Sequence, residues 1–140
     1  MSDPSSSKGR VLIAEDVNVL AMQMTYVLEE GGYAVEVAED GDACLQKVFA
    51  DRPDILLLDI MMPKKHGIEV LKALRADPRT DDLPVIVCSA KDFKTERQEA
   101  ARLGAEFLTK PAPPGVLLER VEALLRTRAQ GGDTAVAEPE

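Results

Sequence analysis

The sequence predicts an α/β domain with a doubly wound, five-stranded parallel sheet and five helices. Two observations carry the prediction: short apolar runs recur along the chain, and stretches with helical spacing of apolar residues separate them. Three of the runs are continuously apolar, as strands buried on both faces of a sheet are. The chain has 140 residues, which suits one domain. The five runs are VLIA, AVEVA, ILLL, VIVC and EFLT, beginning at Val11, Ala34, Ile55, Val85 and Glu106.

A helix is predicted after each run. The first ends at Gly31-Gly32, the second before residues 51–53 and the third by Asp77-Pro78, because glycine and proline interrupt helices. The fourth, over 93–103, is weakly apolar, and the fifth opens near Pro113-Pro114. The positions that predict these helices are, in order, Leu20, Met24, Val27 and Leu28; Leu45, Val48 and Phe49; Val70, Leu71 and Leu74; Phe93, Arg97, Ala100 and Ala101 on one face; and Leu117, Val121, Leu124 and Leu125.

Composition limits the classes of protein. Residues 10–128 form the predicted domain, and the polar segment 1–9 and the acidic tail 129–140 are predicted to be disordered. The net charge of −8 disfavours nucleic-acid binding. Without an apolar run near the ~20 residues of a membrane span, or a visible signal peptide, a cytoplasmic protein is expected. Two cysteines provide no disulfide framework.

Polar side chains close four of the five apolar runs. Glu15 and Asp16 follow the first, Asp59 ends the third, Ser89 ends the fourth and Lys110 follows the fifth. Parallel strands bring these ends to one edge of a sheet, where ligands bind in such folds. Clustered carboxylates repel one another, so a hard cation is expected beside Lys110, and oxygen ligands favour Mg²⁺ over zinc. An ordinary solvated salt-bridge cluster is the alternative interpretation.

The same residues suggest phosphoryl chemistry. An aspartate beside a metal ion can attack a phosphoryl group and become an acyl phosphate. The metal ion and Lys110 would neutralise the phosphoryl oxygens, and Ser89 would donate a hydrogen bond to one of them.

The segments VLIAED, DILLLDIMMP, PVIVCSA and EFLTKP resemble the motifs of the response-regulator receiver domain of bacterial two-component systems. The resemblance covers residues 10–128. It implies a flavodoxin-like sheet of strand order 2-1-3-4-5, like that of the chemotaxis regulators, and a phosphoprotein of phosphorelay signal transduction rather than an enzyme. At most, such a protein would phosphorylate itself from small phosphodonors in the presence of magnesium and lose the phosphate slowly.

The resemblance also implies roles for single residues. Asp59 matches the phosphoacceptor, which receives phosphate from a histidine kinase or histidine phosphotransfer protein. Asp16 matches a direct Mg²⁺ ligand, Glu15 a ligand through water, and Met61 a residue whose backbone carbonyl binds the ion. Met61 and Lys91 flank the phosphorylated carboxylate in the family, so we expect both to slow its hydrolysis.

Three further positions match the family's switch. Ser89 is expected to move toward the phosphoryl group, and Phe107 to fill the space that it leaves. Lys110 matches the family's lysine, and the peptide bond before Pro111 is expected to be cis. The downstream effector would then bind the face made by the fourth helix, the fifth strand and the fifth helix.

Several alternatives remain open at the level of sequence. The chain could pass its phosphate to a histidine phosphotransfer protein, or be a receiver cut from a larger multidomain regulator. A scaffold that acts without phosphorylation is disfavoured, because the expected site residues are present. A haloacid-dehalogenase-like phosphatase is also disfavoured, because Met61 stands where that class has its second aspartate.

Overall fold

A parallel sheet of five strands forms the centre of the molecule in the order β2-β1-β3-β4-β5, so the predicted fold class and strand order are confirmed. The computed structural model describes residues 7–90, 94–110 and 112–129. The elements in chain order are β1 Arg10–Ala14, α1 Asn18–Glu30, β2 Ala34–Ala38, α2 Gly41–Ala50, β3 Ile55–Asp59, α3 Gly67–Arg75, β4 Val85–Ser89, α4 Lys94–Arg102, β5 Glu106–Thr109 and α5 Pro114–Ala129.

Each face of the sheet carries its own apolar core. Alternate residues of a strand point to opposite faces, so strand side chains contribute to both cores. On one face α2, α3 and α4 cover residues such as Leu56 and Val87. On the other face α1 and α5 cover residues such as Leu57 and Ile86. All five residues of β3 and of β4 are buried, so the site residues at their ends rest on a rigid base.

Local signals set most helix ends as predicted. Gly31 follows α1, and Gly32 adopts a φ of 102°, a conformation that favours glycine. The side chain of Asp40 accepts a hydrogen bond from Ala43 N and caps α2. The third helix ends at Arg75, two residues before the Asp77-Pro78 signal.

Arg75 ties the ends of several elements together opposite the site. Its Nε donates to Leu103 O at 2.6 Å, just beyond α4, and its Nη1 donates to Leu83 O at 2.8 Å and Thr80 O at 3.3 Å. The Thr80 hydroxyl in turn donates to Leu74 O at 2.7 Å. The carboxyl ends of α3 and α4 are therefore fixed to the segment that enters β4.

The predicted buried face of α4 is wrong in part. Ala100 is buried as expected, but Arg97 and Ala101 are exposed, and Phe93 lies outside the described residues. The segment has too few apolar residues to show a clear helical period. Leu103, the residue after α4, is partly buried. Ala100 is the one buried residue within α4 as described.

The predicted disordered ends fall mostly outside the described residues. Where they overlap with the structure, Lys8 N donates to Gly32 O at 2.8 Å, Gly9 O accepts from Ala34 N, and Ala129 ends α5. Among the helices described here, none combines the length and apolar character that a membrane crossing needs.

Candidate functional site

The strand ends meet at the carboxyl edge of the sheet as predicted. Asp59 is the last residue of β3, and Glu15 and Asp16 directly follow β1, which pairs with β3. One ligand oxygen from each of these three carboxylates lies within 4.8 Å of the others. Glu15 and Asp59 are buried, whereas Asp16 is exposed. The three side chains therefore form one acidic cluster that is open to solvent on the side of Asp16.

Lys110 joins the buried carboxylates. Its ammonium nitrogen lies 2.5 Å from Glu15 Oε1 and 3.3 Å from Asp59 Oδ1. The other oxygen of Glu15 accepts a hydrogen bond from Val17 N at 3.2 Å. Lys110 N donates to Ser89 O at 2.6 Å, which ties the end of β5 to the end of β4. The chain folds so that one ammonium is shared by two buried carboxylates.

Burial and charge act in opposite directions on this cluster. Burial raises the pKa of Asp59; Lys110 lowers it, Glu15 and Asp16 raise it further, and the net effect is a raised pKa. Burial alone would lower the pKa of Lys110, but the hydrogen bond to Glu15 and the charge of Asp59 outweigh burial, so that pKa is raised. Lys110 therefore stays charged and still leaves a surplus of negative charge in the cluster.

The donor set fits a hard divalent cation. Three carboxylates and one ammonium carry a formal surplus of two negative charges, and oxygen ligands are those that Mg²⁺ binds in proteins. Asp16 is exposed and Asp59 is desolvated, so an added cation would relieve the charge that raises the pKa of Asp59. The cluster therefore resembles the metal site of a receiver domain.

The loop after Asp59 is positioned by two features that the sequence analysis missed. His66 Nδ1 accepts a hydrogen bond from Ile68 N at 3.2 Å and caps α3, in place of the usual Ser, Thr, Asp or Asn. A Cβ on Gly67 would collide with Asp59 O and lie 2.8 Å from Ile60 Cα. Close approach at Gly67 thus packs the start of α3 directly on the end of β3.

The remaining predicted positions lie in different surroundings. Met61 follows Asp59 by two residues and is 62% exposed. Ser89 is buried, and Phe107 is partly buried two residues before Thr109, which pairs with Ser89. The predicted roles of Lys91 and Pro111 fall outside the described residues.

An apolar groove of about 800 Å³ runs between α1 and α5. Val19, Met22 and Tyr26 line it from α1, and each is more than half exposed. Ala90 and Lys110 also line the groove, so it reaches the acidic cluster. The sequence analysis did not single out this surface, because the same side chains at helical spacing look like core residues.

The strand order and the acidic cluster define a flavodoxin-like α/β domain with a carboxylate site at the carboxyl edge of its sheet. The sequence model of the response regulator receiver domain matches residues 11–122. The chain therefore belongs to the response regulator receiver domain family. Receiver domains are signalling modules and not classical enzymes.

Individual relatives agree with this assignment. Response regulator MprA of Mycobacterium ulcerans is 39% identical over 127 residues, which cover 90% of this chain and 54% of the relative. The chain thus spans about half the length of the curated relatives it matches. The receiver domain of the Francisella response regulator 1452 is 33% identical, with a TM-score of 0.80 over 86% of this chain and 99% of that chain. Chemotaxis response regulator CheY4 of Vibrio cholerae is 28% identical, with a TM-score of 0.76 over 82% and 97%.

Proposed function

We propose that this protein is a phosphoacceptor switch of a two-component system, phosphorylated on Asp59 by a histidine kinase or a histidine phosphotransfer protein. One observation carries the proposal: the carboxylate of Asp59 is held beside Lys110 within a cluster of three carboxylates at the edge of the sheet. A solvated salt-bridge cluster on the surface would not bury Glu15 and Asp59.

The proposed reaction transfers one phosphoryl group. A carboxylate oxygen of Asp59 forms a bond to phosphorus, the bond from phosphorus to the donor's histidine nitrogen breaks, and that histidine retains the electron pair and takes up a proton from solvent. Lys110 already faces Asp59 at 3.3 Å and would pair with a phosphoryl oxygen. The Ser89 hydroxyl would donate a hydrogen bond to another oxygen.

Mg²⁺ fits this proposal as the cofactor, with Asp16, Asp59, the backbone carbonyl of Met61 and, through water, Glu15 as its ligands. When bound, the ion would neutralise negative charge on the phosphoryl oxygens and on the carboxylates. The exposure of Asp16 supports its role as a direct ligand. The engagement of Glu15 with Lys110 and Val17 N supports the indirect role given to Glu15.

The groove between α1 and α5 is the proposed docking surface for the histidine-bearing helix of the phosphodonor protein. No charged residue lies between Asp16 and Glu29 in the sequence, so α1 offers an apolar surface that an amphipathic helix can cover. Lys110 lines the same groove, so a helix bound there would lie beside the acidic cluster.

The downstream effector is proposed to bind the face made by α4, β5 and α5. Phosphorylation adds charge and strong hydrogen-bond acceptors beside Ser89, two residues beyond the Val87 position that pairs with Phe107. Because α4 buries Ala100 alone among its described residues, moving this helix disturbs little of the core. Passing phosphate on to a histidine phosphotransfer protein is the second candidate, since the same site chemistry runs in either direction.

Acetyl phosphate labelling tests the proposal. With Mg²⁺, the unaltered chain should gain the mass of one phosphoryl group, and EDTA should prevent the gain. Asp59→Asn should remain unlabelled, whereas the exposed control Asp42→Asn should label as the unaltered chain does. Equal labelling of Asp59→Asn would contradict the proposal. Loss of the label to an added histidine phosphotransfer protein would distinguish a relay intermediate from a terminal switch.

A further inference from the structure

Arg97 of α4 lies over the ring of Phe107. Its guanidinium carbon lies 5.5 Å from the ring centroid, within the range of a cation–π interaction. Phe107 is partly buried and packs against the apolar core on the α4 side of the sheet, and the exposed Arg97 lies over its ring. The sequence placed Arg97 on the buried face of the helix, but this side chain meets Phe107 at the surface.

The register of β4 and β5 shows where Phe107 lies relative to Ser89. Phe107 pairs with Val87, and Thr109 pairs with Ser89. Side chains two residues apart on a strand share a face, so Phe107 and Ser89 face the same side of the sheet. A ring that turns toward Ser89 therefore moves along the sheet toward the acidic cluster.

We propose that Arg97 is a positioning residue of the switch, which holds Phe107 in the position that it has in this structure and so opposes the turn of the ring toward Ser89 in the activated state. This inference rests on the proposed phosphoacceptor function, because it assigns a regulator to the same switch. An exposed cation–π contact corresponds to a bias of about two- to fivefold between the two ring positions. The proposal requires that this contact is lost when the ring turns toward Ser89, and the bias then favours the unphosphorylated form.

Fluorine NMR on the full chain tests the proposal. The chain has three phenylalanines, so labelling with 4-fluorophenylalanine gives a simple spectrum, in which Phe107→Leu assigns the Phe107 signal. Beryllofluoride with Mg²⁺ serves as the probe of the activated state, and its bound fluorine signal reports saturation.

Arg97→Ala should shift the Phe107 signal of the free protein toward its position in the beryllofluoride complex. The half-saturating beryllofluoride concentration should fall by about two- to fivefold, because binding of the ligand then no longer has to break the contact between Arg97 and Phe107. Arg102→Ala is the matched control: Arg102 is an exposed arginine on the same helix, and its ion pair is with Glu99. This control should leave both measurements as in the unaltered chain.

A double-mutant cycle separates the ring contact from any other role of Arg97. In a Phe107→Leu background, Arg97→Ala should no longer change the half-saturating concentration. A change that persists without the ring, or an equal half-saturating concentration in Arg97→Ala and the unaltered chain, would overturn the proposal. If beryllofluoride fails to bind the unaltered chain, the phosphoacceptor function fails instead. An unshifted Phe107 signal in the free Arg97→Ala protein would independently overturn the role of Arg97.

Discussion

Lys110 lies closer to Glu15 than to Asp59, with its ammonium nitrogen 2.5 Å from the Glu15 carboxylate and 3.3 Å from that of Asp59. Glu15 is only 1% exposed, so Lys110 is its main source of compensating charge. A glutamate has one methylene more than an aspartate, and this length carries the carboxylate to the ammonium. The pair therefore has a structural role apart from any role in phosphorylation.

Removing Lys110 should destabilise the protein. In Lys110→Met the buried carboxylate of Glu15 loses its cation, and breaking a buried pair from one side costs about 3–5 kcal/mol. Urea unfolding measures the loss. Glu15→Gln combined with Lys110→Met should recover part of it, because the unpaired charge of Glu15 is then removed while the carboxylate of Asp59 still lacks its cation. Equal stabilities for Lys110→Met and the unaltered chain would show that the pair contributes nothing.

Asp59→Asn should have the opposite effect in the absence of Mg²⁺. The native pKa of Asp59 is raised, mainly by burial, so the native state binds more protons than the unfolded state between the unfolded and native pKa values. The free energy of unfolding falls as pH rises through that window, and at neutral pH the ionised Asp59 carboxylate still destabilises the native state. We expect Asp59→Asn to raise the melting temperature at neutral pH, by about 4 °C for each 1 kcal/mol.

The same variant tests the metal site. Mg²⁺ should raise the melting temperature of the unaltered chain, because a ligand that binds only the native state stabilises it by mass action. EDTA should reverse the rise. In Asp59→Asn the rise caused by Mg²⁺ should be much smaller. Without Mg²⁺ at acidic pH, the difference in stability between the variant and the unaltered chain should disappear, because Asp59 is then protonated and uncharged. A melting temperature that ignores Mg²⁺ in both proteins would count against the cation site.

Gly67→Ala should be strongly destabilising. The added methyl group would collide with the Asp59 carbonyl oxygen and approach Ile60 Cα to 2.8 Å, and overpacking against backbone costs about 1–3 kcal/mol or more. Gly115→Ala is the control, because nothing lies within 4 Å of a Cβ at that helical position. It should be neutral or stabilise by up to about 1 kcal/mol. Thermal unfolding of the two variants gives the comparison.

Polar substitutions on α1 should separate docking from chemistry. Met22→Ser and Tyr26→Ser should slow phosphotransfer from a histidine kinase that phosphorylates the unaltered chain, by about tenfold for each variant. Labelling by acetyl phosphate should stay unchanged, since neither side chain belongs to the acidic cluster. Gln46→Ser, exposed on α2, should alter neither rate. Equal slowing with both phosphodonors would place the effect on the site and not on docking.

Met61→Asn should shorten the life of the phosphorylated form. Met61 is exposed two residues beyond Asp59, and we expect its bulky apolar side chain to obstruct an attacking water. An amide there can bind that water, so the loss of radioactive phosphate should become several-fold faster. An unchanged rate of phosphate loss would contradict this prediction.

The sequence was sufficient where one physical rule decides the structure. Continuous apolar runs predicted β3 and β4, and the carboxylates at the ends of β1 and β3 predicted the acidic cluster. It predicted the helix α4 but not which of its residues are buried, because a helix in which Ala100 is the one buried residue has no clear apolar period.

The orientation of single side chains and the close approach of packed elements could not be predicted from the sequence either. The capping role of His66 depends on the orientation of its ring, and the requirement for Gly67 depends on how closely α3 approaches β3. The groove along α1 was hidden for a related reason. Met22 and Tyr26 have the helical spacing that is typical of core residues. Their exposure becomes visible only once the position of α1 in the fold is known.

Arg75 gives α4 one fixed end. Its hydrogen bonds to Leu103 O and Leu83 O hold the carboxyl end of the helix to the segment before β4. Any rearrangement of α4 that keeps these bonds is a rotation about that end. Each residue then moves in proportion to its distance from that end, which increases by about 1.5 Å per residue along the helix axis. Lys94 lies nine residues before Leu103 and therefore travels furthest, and Arg97, six residues before it, travels about two-thirds as far. Arg75 is therefore the pivot of such a movement, and the end of α4 that moves most is the end nearer the acidic edge of the sheet.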